Sequence, residues 1–192
     1  MSVPVTVPPH APFVTFLDFP HVSDLDSLQA DIAIMGLPYG DPYTAAEVTN
    51  DQTNAPTAVR RASPRLSLGL DRWDFDIGGT LFNGRDLRVV DVGDVTMRIG
   101  DPGGHYRRAE QAARKILGAG ARLISIGGDH GVPIPVFRAL DVVGPVTLVH
   151  IDAHLDWRDE VNGVREGYSS PIRRASEMPH IRRIVQIGMR GQ

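Results

Sequence analysis

Residues 122–156 read RLISIGGDHGVPIPVFRALDVVGPVTLVHIDAHLD. The run opens on an apolar stretch, Arg122–Gly128, that ends in two glycines. It continues through a short helix-compatible segment around Val136–Leu140 and closes on a second apolar stretch, Val146–Asp152. Strand, helix and strand in that order form a right-handed βαβ unit, and near-continuous apolar strands belong to a parallel sheet covered on both faces.

The same alternation extends outward. Asp31–Leu37 is an apolar run closed by Pro38 and Gly40, Leu87–Val92 is a further strand candidate, and Arg183–Gly188 is the last. Between them, Pro56–Ala62 follows a possible Asn54 cap, His105–Leu117 stops at Gly118 and Gly120, and Ser170–Glu177 has helical character. The expectation is a three-layer α/β domain over residues 31–192. It has one mainly parallel sheet, strands near 31–37, 87–92, 122–128, 146–152 and 183–188, and helices on both faces. Residues 1–30 read as an extended arm, because Pro4, Pro8, Pro9 and Pro12 each fix φ and disfavour helix before them. The long polar loop Tyr39–Asn54 is either functional or a disordered insertion. The chain stops just after its last strand, where a parallel sheet normally continues into a covering helix, so a C-terminal truncation is expected.

Composition narrows the chemistry. The 192 residues carry 20 Lys plus Arg against 23 Asp plus Glu, a net charge of −3, so the basic footprint of a nucleic-acid binder is missing. There is no cysteine, which rules out thiolate catalysis, disulfides and Cys-ligated metal; any metal must use His and carboxylate. Met1–Phe16 has neither a basic nor an apolar secretory region, and no stretch approaches the roughly 18–20 apolar residues of a membrane span, so a cytoplasmic protein with no membrane partner is expected.

Two constellations carry reactive side chains. In Val149–Trp157, an extended chain would turn Asp152, His154 and Asp156 to one side, giving two carboxylates and an imidazole suited to Mn, Fe, Zn or Ni. His150 shares their parity but lies deeper in the apolar run and reads as a hydrogen-bonded core histidine. In Ser125–Gly131, Gly127 and Gly128 allow a tight turn that presents Asp129 and His130 at the carboxyl end of a strand, where open α/β sheets place their ligands. The glycine spacing matches neither a dinucleotide fingerprint nor a P-loop, which leaves a nucleotide-binding reading last.

The pair Gly127-Gly-Asp-His130 and Asp152-Ala-His-Leu-Asp156 resembles two signature motifs of the ureohydrolase (arginase/agmatinase) family. Ala33–Pro38, Ala55–Arg61 and Asp91-Val-Gly-Asp94 are similar to further family segments, so the likeness runs from about Asp31 to Gly188. The resemblance implies an arginase-like fold, assembly as a homo-oligomer and hydrolysis of a small guanidino substrate to urea and an amine. The nucleophile would be a hydroxide held between two divalent ions, Mn(2+) or alternatively Ni(2+). It further implies that His130 and Asp156 ligate the first ion, His154 the second, and that Asp152 bridges both, with Asp129 either an outer partner of the ligands or a turn residue.

Two departures from the family pattern bear on activity. The S-x-D-x-D type segment that supplies two more aspartate ligands is missing from these 192 residues, which leaves the second ion only Asp152 and His154. Where the family has a proton-shuttling histidine before a glycine, this chain has Glu166-Gly167; Glu166 either takes that role or is a solvated loop residue. Arg158 and Arg165 either favour a guanidino acid through its carboxylate or are solvated, and Trp157 and Tyr168 either line the pocket or pack. The alternative to an active hydrolase is a catalytically inactive ureohydrolase-like subunit or fragment that acts by assembling with an active partner.

Overall fold

The structure, a computed structural model, describes residues 5–7, 14–44, 46–47, 51–98 and 100–191. Among the described residues, strands β1 (Thr6–Val7), β2 (Ile32–Leu37), β3 (Val89–Val95), β4 (Arg122–Gly127), β5 (Val146–Ile151) and β6 (Ile181–Ile187) are joined through α-helices and short 3-10 turns. The helices are α1 (Ala55–Ala62), α2 (Pro64–Ser67), α3 (Pro102–Gly118), α4 (Pro133–Ala139) and α5 (Pro171–Ser176). Each expected strand lies within two or three residues of its observed bounds, and each expected helix is present. The prolines at positions 4, 8, 9 and 12 lie outside the described residues.

Parallel pairing of β2 with both β3 and β4 builds the first ladder, and β1 adds antiparallel to β3, giving the order β1-β3-β2-β4. Strand parity divides its two faces. Ala33, Met35 and Leu37 join Val90 and Val92 against Ala109, Ala112, Ala113 and Ile116 of α3, all essentially dry. On the opposite face, α1 places Arg60, 1% exposed, beside Gly36, where an added Cβ would collide with Arg60 and Asp94. Helix above, sheet between and helix below are the expected layers.

One expectation is corrected. β4 and β5 do not lie in one sheet: β5 pairs in parallel with β6 alone, as a separate two-stranded ladder. A strand run fixes an element but not its lateral neighbour, and consecutive strands adjoin only about two-thirds of the time. The apolar runs of β4 and β5, expected in one sheet with helices on both faces, are part-exposed: Ile124, Val149 and Ile151 show 47%, 55% and 77% of their surface. No helix among the described residues is long and apolar enough to cross a membrane.

Within the N-terminal segment, residues 16–22 pack against β3. Val22 N donates to Asp91 O and Asp91 N to Pro20 O, while Phe16 N donates to Asp91 Oδ2 at 2.8 Å. Asp91 thus ties the segment to Arg60, whose Nε and Nη2 donate to Asp91 at 2.8 and 2.9 Å and whose Nη1 pairs with Asp94.

The first turns of α3 carry a buried titratable group. His105, fully buried, stacks on Tyr39 with ring centroids 4.6 Å apart. Burial above all, and then the Arg108 charge, push its pKa from 6.5 down to about 4. Between those values the unfolded chain binds the proton and the folded chain does not, so stability is complete above about pH 6.5 and falls as pH drops towards 4. The loss approaches about 3 kcal/mol at 1.36 kcal/mol per unit. Urea midpoints between pH 7 and 4.5 should fall more steeply for the wild type than for His105→Phe, and equal slopes would refute this assignment.

Candidate metal centre

Two tight turns bring the reactive side chains together. β4 ends at Gly127, and Gly128 (φ +32°) presses its α-carbon against the loop after β2: a Cβ there would lie 2.2 Å from Tyr39 O and 2.6 Å from Leu37 O. Asp129 locks this crossing, since its Oδ1 accepts from Gly131 N and its Oδ2 from Asp41 N, each at 2.8 Å. Of the two roles open to Asp129, turn stabilisation is what its contacts describe; burial pushes its pKa up despite those donors. The turn leaves His130 aimed towards the end of β5.

Beyond Ile151 the chain departs from extended geometry, and Asp156 is left-handed at φ +51°. The expected same-side parity of Asp152, His154 and Asp156 therefore does not hold. The left-handed turn instead swings the Asp156 carboxylate inward, to 5% exposure, whereas the His154 side chain stays 64% exposed.

Among the described residues, one ligand atom from each of His130, His150, Asp152 and Asp156 lies within 4.8 Å of the other three, a single candidate metal-binding cluster. His130 Nδ1 is 2.7 Å from Asp156 Oδ2 and 3.4 Å from Asp152 Oδ2; His150 Nε2 is 3.6 Å from both oxygens. The Asp156 carboxylate raises the His130 pKa, burial lowers that of His150, and the His154 N–H bound to Asp152 lowers that of Asp152. Asp156 Oδ2 and His150 Nε2 are buried short of hydrogen-bond partners, Oδ2 meeting only the ion-pair contact from His130 Nδ1. Two carboxylates and two imidazoles crowded within 4.8 Å, with a buried oxygen short of donors, are costly unless a cation joins them, so the residues fit a divalent ion.

His154 stands apart from this group. Its Nδ1 lies 3.1 Å from Asp152 Oδ1, and its N–H donates to that oxygen at 2.7 Å. Asp152 thus turns one oxygen to His130 and the other to His154. His150, read from sequence as a core histidine, is buried as expected but is also one of the four side chains of the cluster. Its shared parity with Asp152 was the available signal, outweighed by the apolar residues around it.

The remaining candidates are dispersed. The Glu166 carboxylate pairs with Arg138 of α4, and its carbonyl accepts from Tyr106 Oη. Arg165 pairs with Asp159 at 3.2 Å, while Arg158 lines a cavity of about 260 Å³ with Leu155, Asp156, Trp157 and Ser169. Tyr168 packs on Tyr43 at 4.3 Å, and Tyr43 Oη meets Ser169 Oγ at 2.7 Å, so the loop after β2 is interlocked with residues 166–170. Sequence reading gave no sign of that interlock, which depends on contacts more than 120 residues apart.

Comparison with known proteins places this geometry. The Arginase family model matches residues 30–192. Mitochondrial agmatinase of Gallus gallus is 31% identical over 96% of this chain and 54% of its own length, and guanidinobutyrase of Pseudomonas aeruginosa 32% over 93% and 54%. Among solved structures, proclavaminate amidino hydrolase from Streptomyces clavuligerus superposes with a TM-score of 0.74 at 28% identity, covering 96% of this chain and 59% of that one. The chain spans about half the length of the curated relatives it matches. With the family model matching most of its residues and the motif side chains gathered at two strand ends, this chain belongs to the arginase family.

Proposed function

We propose that the chain contributes a metal-binding half-site to a hydrolase that splits guanidino compounds into urea and an amine. The observation that carries this reading is the convergence of His130, Asp152 and Asp156 from two separate ladders onto one half-buried, donor-rich point. The names of the relatives, an agmatinase, a guanidinobutyrase and an amidino hydrolase, support the substrate class. His130 and Asp156 would hold one ion, and Asp152, with its two oxygens turned to different histidines, would be shared with a second ion at His154. Two manganese ions suit the site in a longer form of the protein, and nickel suits the same donors. Such ions lower the pKa of water and polarise the group under attack.

The chain's own residues then determine the rest. The Asp152 and Asp156 carboxylates supply the negative charge that would balance the cations. Glu166 can carry a proton only after leaving Arg138, so the pair sets when it acts. Arg158, beside Asp156 in the small cavity, selects a carboxylate at the far end of the substrate, whereas Arg165 is engaged by Asp159. Arg158→Ala should raise KM for a guanidino acid about tenfold, the share of one charge-assisted contact of about 1.5 kcal/mol, and leave agmatine unaffected. Equal KM changes for both substrates would remove Arg158 from recognition.

Urea release by the purified chain with manganese supplied tests the function. Slow release, lost in Asp152→Asn, is expected of a second ion with only two protein ligands. Metal binding without any release favours the second reading, a subunit completed by a partner. That reading draws on the solvent-facing apolar side chains of residues 66–81, including Leu68 at 85% and Phe75 at 91% exposure. Arg65, Arg72, Asp74 and Asp76 intersperse both charge signs there, which suits self-association into a homo-oligomer.

A further inference from the structure

We propose that Gln186 fixes the tautomer of His150 with its proton on Nε2, making His150 a positioning donor to the two carboxylates and not a ligand of the ion. The inference rests on the reading of His130, Asp152 and Asp156 as the metal site, but its own premises are local. His150 and Gln186 are direct partners in the β5–β6 register, so their side chains share one face of the ladder. Gln186 Nε2 lies 3.0 Å from Leu155 O and 3.1 Å from His150 Nδ1. A carbonyl only accepts, so Leu155 dictates that the amide presents its NH₂ end here; flipping it would oppose two oxygens. That NH₂ group has a second hydrogen, and the atom in its path is His150 Nδ1, which must therefore accept.

A neutral imidazole has one proton, and with Nδ1 accepting it resides on Nε2. Nε2 is buried, lacks a hydrogen-bond partner and lies 3.6 Å from Oδ2 of both Asp152 and Asp156. An N–H at that place has no in-plane lone pair to offer a cation. It faces the two oxygens that must point to a common ion, and a closure of about half an ångström brings it into ordinary hydrogen-bond reach of either. His130, stacked on His150 with centroids 5.4 Å apart, keeps the same Oδ2 atoms in front of its Nδ1. One imidazole is thus left to bind metal and its neighbour to orient the carboxylates, as outer partners do at metal sites.

Long-range ¹H–¹⁵N correlation on histidine-labelled, metal-free 192-residue chain reads the tautomer directly, with His150 assigned by the signals lost in His150→Asn. The expected pattern is a protonated Nε2 and an unprotonated Nδ1. Gln186→Glu, which offers an acceptor instead of a donor, should move the proton to Nδ1. On adding Zn(2+), a diamagnetic probe, the His130 nitrogens should shift while the Nε2–H signal of His150 persists. A wild-type proton on Nδ1, or loss of the His150 Nε2–H signal on zinc addition, overturns the inference. Unmoved His130 signals at saturating zinc would instead defeat the metal-site reading, with the tautomer result standing by itself.

Discussion

Replacing Arg60 with leucine should cost the fold about 3–5 kcal/mol, the usual result of stranding the partners of a buried ion pair. Asp91 and Asp94 are 0% and 4% exposed, and neither can reach water once the guanidinium is gone. Asp91 also accepts from Phe16 N and Gly93 N, so the loss spreads to the N-terminal segment and to the bend in β3. Set against a typical total of about 5–15 kcal/mol, this leaves a chain near its unfolding threshold. Urea denaturation followed by circular dichroism measures it. A loss below about 1 kcal/mol would mean that the carboxylates find solvent and that Arg60 is not the keystone of this layer.

The second large effect is expected at Gly128→Val. The new Cβ meets two backbone oxygens, Tyr39 O and Leu37 O, which cannot move aside without parting β2 from β4, and a β-branched residue at positive φ is strained in addition. Overpacking and strain each contribute about 1–3 kcal/mol. His130 is displaced with the turn, so divalent-metal affinity should drop roughly 10- to 100-fold. Gly127→Ala is the informative contrast, since its nearest neighbour is the Val132 side chain, which can rotate. Comparable losses in the two variants would show that the backbone crossing at Tyr39 is not what positions His130.

Local order was legible in the sequence wherever a residue's role depends on its near neighbours. The apolar runs gave the strands, Gly127 and Gly128 gave the turn, and His130 with Asp152 and Asp156 gave the core of the cluster. Lateral arrangement was not legible: nothing in Arg122–Gly127 or Val146–Ile151 records which strand lies beside them, and the two runs fall in separate ladders. Period-two parity failed at Asp156 because the chain turns left-handed there, a conformation that aspartate tolerates better than most residues but does not announce. The apolar residues around His150 point to a core role, whereas its orientation depends on Gln186 in another strand. Glu166 was judged by its offset from the ligands, while its carboxylate is committed to Arg138 in α4.

Calorimetric titration of the metal-free chain with manganese, repeated on His130→Ala and Asp156→Asn, tests the central claim most directly. One ion per chain is expected in the wild type, with a loss of affinity of at least about 100-fold in each variant, because each substitution removes one of three protein ligands. Wild-type affinity in both variants would contradict it.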